Sequence, residues 1–359
     1  MSPTELRVEQ GSWAPVRCAD LVGQERAERS FLDAFNSGRC AHAWILSGPR
    51  GVGKATLAHR IGRFLMVHGN AGDGNDGPGL FGNELPTAKP DSLATDLENP
   101  ICQRIIAGGH TDFLCIERAV NDETGAKKRD ISVDQVRAIG KLFALTPGEG
   151  GWRVVVIDGA DDMNTNAQNA LLKLLEEPPP QALLLLVVHN PGLLLPTLHS
   201  RCRHLALPPL APAAMKTVLA TQVPARGIEL EADDWELLLQ LADGSIGRAF
   251  SLAGDGGIEI YKDVRAVLGT LPNLDIDMLH KLGDVIARDR SGDKLRTLLE
   301  IIGWSLMERI RSSVPGSLEA WFSVWEKANR MLRETEGLNL DRKQLVLEIF
   351  LSIETAARG

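Results

Sequence analysis

From about Cys40 to Leu207 the chain alternates short apolar runs with stretches of helical spacing, and this alternation restricts its fold more than any other feature. Parallel strands cannot be joined by tight turns, so each crossover must be long, usually a helix lying on a face of the sheet. The expected strands are Ala43–Ser47, 112–116, Arg153–Asp158, Ala182–Val188 and 203–207. Two of them, RVVVID and ALLLLVV, are apolar almost throughout, as strands covered on both faces should be. The intervening helices have readable ends. Ser132 and Gln135 have the spacing of a capping box, with Val136, Ile139 and Phe143 following at helical intervals. Residues 164–177 enclose Leu171, Leu172, Leu174 and Leu175, and Pro178 to Pro180 stop them.

Outside this region the pattern changes. Residues 69–100 are rich in Gly, Asn, Asp and Pro and read as a flexible surface insertion, with a binding loop as the alternative. PPLAPAA after Leu207 reads as a linker, 215–253 as two or three helices, and everything beyond Ile258 as helical, at 279–287, 295–310, 318–332 and 342–355. Trp321, Val324, Trp325, Ala328 and Leu332 form one stripe, which reads as the core of a helix bundle. The divisions expected are 1–207, 208–256 and 257–359. A length of 359 residues suits two or three domains, and 44% hydrophobic with 24% charged residues excludes wholesale disorder.

Composition also narrows function. No apolar run approaches the ~18 residues of a membrane helix, and the first residues lack the basic-then-apolar order of a secretory leader, so a cytoplasmic location without membrane contact is expected. Cys18, Cys40, Cys102, Cys115 and Cys202 are widely spaced, which disfavours a disulfide framework and a zinc module. A net charge of −8 argues against a chain-wide basic surface, and Lys127-Lys128-Arg129 is the only compact basic cluster. Contact with nucleic acid is therefore expected to be local or made through partners, and a direct DNA-binding factor is the weakest reading.

The most specific local feature is Gly48-Pro49-Arg50-Gly51-Val52-Gly53-Lys54, which follows a strand and opens a helix carrying Leu57, Ile61, Phe64 and Leu65. In that context Gly48, Gly51 and Gly53 let backbone N–H groups close around phosphate oxygens, and Lys54 reaches the β/γ-phosphates. The bland alternative is a glycine-rich turn with a solvated lysine. A working loop of this kind places Ser or Thr directly after the lysine to ligate Mg²⁺, but here that residue is Ala55. Thr56 lies about 100° further round the helix. Asp158 ends RVVVID where the metal-holding aspartate belongs, yet Gly159 follows it and cannot take a proton. Both deficits predict weak or absent ATP hydrolysis and a degenerate ATP/ADP site.

The order HAWILSGPRGVGKATLA, HTDFLCIE, ISVDQVRAI, GWRVVVIDGADDMNTNAQNALLKLLEEPPP, HNPGLLLPTLHSRCR and GSIGRAFSLA resembles bacterial clamp loaders of the AAA+ superfamily, over roughly residues 19–253 and more weakly at NLDRKQLVLEIF. The resemblance implies an α/β P-loop core with a five-stranded parallel sheet, a small helical lid, and an all-helical collar that joins five subunits. It implies gamma/tau and delta partners in a hetero-pentameric ring that places a sliding clamp on primed DNA, as part of a DNA polymerase holoenzyme. It further implies that Arg201, in Ser200-Arg201-Cys202, enters a neighbour's nucleotide site as an arginine finger; a structural arginine paired with a nearby acid is the alternative. The family's zinc cysteines are missing, so no zinc is expected. Arg248 stands one residue out of register for the lid's nucleotide sensor, and His189-Asn190 occupies the place of the polar first sensor. A non-hydrolysing subunit is the leading expectation, with an ATP-hydrolysing gamma-type subunit as the alternative.

Overall fold

A computed structural model describes residues 14–69, 89–120, 128, 130–148, 151–254, 256–289, 292–312, 318–335 and 341–358. The chain divides into two compact units, Met1–Ala214 and Met215–Gly359.

The first unit holds α1 (Glu25–Asn36), β1 (Ala43–Ser47), α2 (Lys54–His68), α3 (Pro100–Ile106), β2 (Phe113–Ile116), α4 (Val133–Ala144), β3 (Arg153–Asp158), α5 (Thr165–Glu176), β4 (Ala182–Val188), α6 (Pro196–His199), β5 (Arg203–Ala206) and the start of α7 (Pro212–Ala225). Its strands form a five-stranded parallel sheet in the order β2-β3-β4-β1-β5. Because β1 lies between β4 and β5 while the chain continues to β2 at the far edge, the loops leaving β1, β3 and β4 meet at the carboxyl end of the sheet. Open α/β sheets bind ligands at such a reversal of strand order.

Both faces of the sheet are covered, which explains the unbroken apolar runs. On one face Ile45, Val155, Ile157, Leu184 and Leu186 pack with Val136, Ile139 and Phe143 of α4 and Leu171 and Leu175 of α5. On the other, α2 buries Leu57, Ile61, Phe64 and Leu65, and Phe31 of α1 sets its ring 5.2 Å from Trp44. Truncating any one of these to alanine costs about 2–5 kcal/mol. The Ser132–Gln135 capping box is present, and Asn164 caps α5 by accepting from the Ala167 N–H. The strands at 112–116 and 203–207 are one residue shorter than their patterns suggest, although the Asp112 carbonyl and the Leu207 N–H still join the ladder, with Val154 and Ser47.

Residues 70–88 of the expected insertion, and Lys127 and Arg129 of the basic cluster, lie outside the described residues. Residues 89–100 are mostly exposed but anchored by a few contacts. Asn36 donates through Nδ2 to the Pro90 carbonyl, and Leu93 is fully buried. Within PPLAPAA, Leu210 is buried and Pro212 opens α7, a position where its fixed φ and missing N–H are harmless.

The second unit is helical, with most of α7 followed by α8 (Ala232–Ala242), α9 (Ile246–Gly254), α10 (Gly257–Gly269), α11 (Ile276–Arg288), α12 (Asp293–Ser312), α13 (Leu318–Thr335) and α14 (Arg342–Arg358). Trp321, Val324 and Ala328 are buried as the stripe predicts, whereas Phe322, off the stripe, is exposed beside Trp325. Among the described residues no helix is long and apolar enough to cross a membrane.

Candidate functional site

Glycine is required in the loop after β1 by its backbone. Gly48, Gly51 and Gly53 have φ of 146°, 75° and 98°, conformations that L side chains avoid. A Cβ on Gly48 would also lie 2.2 Å from the Leu207 carbonyl oxygen, and one on Gly53 2.6 Å from Leu21 Cδ1. Lys54 opens α2, is 3% exposed, and donates through Nζ to the Gly48 and Pro49 carbonyls at 2.7 and 2.6 Å. Burial lowers its pKa to about 8, a fall that the Asp161 and Asp158 carboxylates oppose and Arg50 reinforces. The structure thus brings Lys54, Asp158, Asp161 and Arg50 together at the carboxyl end of the sheet.

Asp158 ends β3 with its backbone paired to Val187 of β4. The next acids are committed elsewhere. Asp161 accepts the backbone N–H groups of His189 and Asn190 at 3.0 and 2.9 Å, clipping the ends of β3 and β4 together. Asp162 pairs with Arg118 at 3.3 Å. Gly159 itself has φ of 78°, so the position after Asp158 is shaped for glycine rather than for an acid. Burial, then Lys54 and Arg50, lower the His189 pKa to about 4, which leaves its imidazole neutral at pH 7. Ala55 has no oxygen, and Thr56 is half-buried on α2.

Arg201 is not part of this group. It lies two residues before β5, whose neighbour β1 runs parallel with Trp44 opposite Arg203 and Ser47 opposite Ala206. Arg201 therefore sits at the amino end of the sheet, separated from the loop by the length of β1, about 13 Å or more. Its Nη2 meets Glu176 Oε1 at 2.9 Å, and its Nη1 donates to the Thr197 carbonyl at 3.2 Å and to Ser200 Oγ at 3.4 Å. The side chain is 36% exposed and Glu176 53%. Arg203 instead lies over the Trp44 ring at 4.8 Å, and Cys202 is buried with its thiol pushed up to about 12 by burial. His199 and His204 stack at 5.1 Å beside the arginine. Arg248 lies in the second unit, where its guanidinium reaches the Glu300 carbonyl. Among the described residues no cluster of His, Cys, Asp and Glu could hold a metal ion.

One contact was not foreseen from the sequence. Gln24, 2% exposed, donates from Nε2 to the Val52 carbonyl at 3.2 Å and to the Pro208 carbonyl at 2.9 Å. Those partners are 28 and 184 residues away, so no local pattern reveals the contact.

The chain is similar to several known proteins. Residues 80–211 match the family described as "DNA polymerase III, delta subunit". DNA polymerase III subunit delta' of Pseudomonas aeruginosa is 36% identical over 216 residues, covering 60% of this chain and 57% of that protein. DNA polymerase III subunit gamma/tau of Mycobacterium bovis is 27% identical over 278 residues, covering 77% of this chain and 43% of that protein. The chain thus spans about half the length of these relatives. Among solved structures, a DNA polymerase III gamma subunit-related protein of Thermotoga maritima aligns over 92% of this chain and 100% of its own, with 16% identity and a TM-score of 0.39. The RuvB Holliday junction branch migration motor of Thermotoga maritima aligns over 83% and 80% respectively, with a TM-score of 0.41. The five-stranded parallel sheet and the glycine-rich loop ending in Lys54 define an α/β protein whose first strand turns into a helix through a loop of the P-loop kind. Within that class, the chain is similar to DNA polymerase III delta' and gamma/tau subunits.

Proposed function

We propose that this chain is a non-hydrolysing, delta-prime-type subunit of a replicative clamp loader that supplies Arg201 to a neighbour's nucleotide site. The observation carrying this reading is the placement of Arg201 at the opposite end of the sheet from its own phosphate loop, exposed and weakly held. A guanidinium so placed cannot serve the chain's own loop, but it can be offered across an interface, where its fixed donors neutralise charge developing on a transferring phosphoryl group. The exposed pair with Glu176 is worth about 0–1 kcal/mol, so exchanging it for a phosphate costs little.

In this reading 1–207 is the core, 208–256 a lid and 257–359 a collar. The partners are gamma/tau and delta subunits in a five-membered ring that loads a sliding clamp on primed DNA in the cytoplasm. The chain's own loop suits a phosphate, since Gly48, Gly51, Gly53 and Lys54 form a cradle that a Cβ would fill. A Mg²⁺–nucleotide fits it poorly: Ala55 offers no hydroxyl, Thr56 stands one residue late and about 100° further round the helix, and only Asp158 remains. A nucleotide bound here would supply negative charge to the Gly53 and Lys54 end of α2, and Gly159 supplies no base to act on it. We assign no zinc.

The gamma-type alternative draws on the gamma/tau match, which covers more of this chain than the delta' match does. Reconstitution with gamma-type and delta subunits tests both readings. Arg201→Ala should leave assembly intact and lower DNA-stimulated ATPase by about 10³-fold or more. Full activity of that complex would reject the finger. ATP turnover by the isolated chain, abolished by Lys54→Ala, would select the gamma-type reading.

A further inference from the structure

The phosphate loop is tied to the segment that leaves the core for the second unit both directly, through Leu207, and by way of residues 21–24. At its start, Ser47 accepts the Leu207 N–H at 2.8 Å, and Gly48 presses so closely on Leu207 that a Cβ there would stand 2.2 Å from its carbonyl oxygen. Beneath the loop, Leu21 Cδ1 lies 2.6 Å from where a Cβ on Gly53 would stand, and Gly23 faces Leu210 and Ala214. In the middle, the Gln24 carboxamide uses its two N–H bonds on two carbonyls, Val52 of the loop and Pro208 of the departing segment. A buried amide that bonds one buried carbonyl, that of Val52, and one half-buried carbonyl, that of Pro208, cannot follow one without giving up the other, which couples the two segments mechanically.

We propose that Gln24 is a positioning residue that clasps the phosphate loop to residues 207–210, so that a change in the loop's backbone on binding phosphate is passed to the chain entering α7. The proposal rests on the reading of Gly48–Lys54 as a phosphate-binding loop. Gln24 touches no ligand in this scheme; it acts through the Val52 and Pro208 carbonyls. Proline at 208, 209 and 212 stiffens the departing segment, so a displacement at Pro208 is not absorbed by free rotation nearby.

Amide-resolved hydrogen exchange on the full chain tests the clasp, with inorganic tripolyphosphate as probe and calorimetry to establish whether it binds. If it binds, exchange in the wild-type chain should slow about tenfold at Gly51–Lys54 and also at Leu207, Leu210 and Ala211. Gln24→Met, which keeps the stem and removes both donors, should preserve the loop's response and abolish that of Leu207, Leu210 and Ala211. An unchanged response of the departing segment in the variant, or none in the wild type, overturns the proposal. If tripolyphosphate does not bind, the phosphate reading of the loop fails and the clasp is tested without ligand. Gly51→Ala, strained at φ of 75°, should then accelerate exchange in both segments when Gln24 is present and only in the loop when it is Met. Spread that ignores the residue at 24 overturns the clasp. Should Gln24→Met not fold, native-state exchange of the wild type decides: a clasp requires both segments to open with the same free energy, and separate openings refute it.

Discussion

At the carboxyl end of the sheet Lys54 is 3% exposed, bonded to its own loop and flanked by residues held in place by backbone contacts. At the amino end Arg201 keeps 36% of its side chain in solvent and is held by one exposed carboxylate, one carbonyl and one hydroxyl. Both are cations suited to phosphate, yet one is built into the fold and the other is laid on its surface. A buried cation is fixed by desolvation and can respond only to what enters its cavity, whereas an exposed one loses little when it changes partner. On the function proposed above, chemistry offered to another molecule belongs to the amino end, and the carboxyl end is a braced cradle.

The largest effect that could break this contrast is the roughly 10³-fold fall expected for Arg201→Ala in the assembled loader. If turnover survives, the exposed end has no privileged role. Next in size is the pH response of the buried end. Lys54 titrates at about 8 rather than its usual 10.5, mainly because burial disfavours the ammonium, while the unfolded chain retains its proton to higher pH. Stability should therefore rise as pH climbs from 8 towards 10.5, since the unfolded state binds more protons there. A bound phosphate favours the charged form, so tripolyphosphate affinity should fall above pH 8, by up to about tenfold per unit. Calorimetry across pH 7–10 would show this, and an affinity flat with pH would mean that Lys54 does not face the anion.

The two ends were not equally legible in the sequence. The strands were readable because β3 and β4 are buried on both faces, and their unbroken Val and Leu runs record it directly. The glycine-rich loop after β1 was readable because Gly48, Gly51 and Gly53 answer a backbone demand, a positive φ at each of the three positions. Arg201 was found through motif resemblance, but its contact with Glu176 was not, since 25 residues and a strand separate them. The same holds for Gln24, whose partners become neighbours only through the strand order. α1 escaped notice because its buried residues, Ala27, Phe31, Leu32 and Ala34, are few among charges. Asp161 was noted only as an acid standing too late to serve as a base. That its carboxylate clips two strand ends depends on the sheet placing β3 beside β4.

A smaller effect sharpens the description of the exposed end. Glu176→Ala removes the single carboxylate contact of Arg201 but leaves the Thr197 carbonyl and Ser200 Oγ. Melting of the isolated chain should shift by less than about 1 kcal/mol equivalent, and turnover of the assembled loader should fall by no more than about threefold. A loss comparable with that of Arg201→Ala would show that Glu176, rather than the backbone, sets the guanidinium's position.

The smallest effect expected is none at all, and it bears on the carboxyl end. Restoring the two missing side chains with Ala55→Thr and Gly159→Glu looks as though it should revive hydrolysis. The backbone argues otherwise. Residue 159 is in the left-handed region at φ of 78°, which costs a side-chain-bearing residue about 1–2 kcal/mol, and a Cβ there would lie 2.9 Å from Asp162 Oδ2. Asp162 cannot readily yield, because its carboxylate pairs with Arg118 and its carbonyl accepts the Ile131 N–H at 2.9 Å. A glutamate at 159 would therefore be strained and set against a like charge, away from the geometry of a base. The doubly substituted chain should release no more phosphate from ATP than the wild type. Turnover that appeared in it and vanished on adding Lys54→Ala would show that only side chains, and not the backbone, silence the carboxyl end, and the contrast between the two ends would then rest on Arg201 alone.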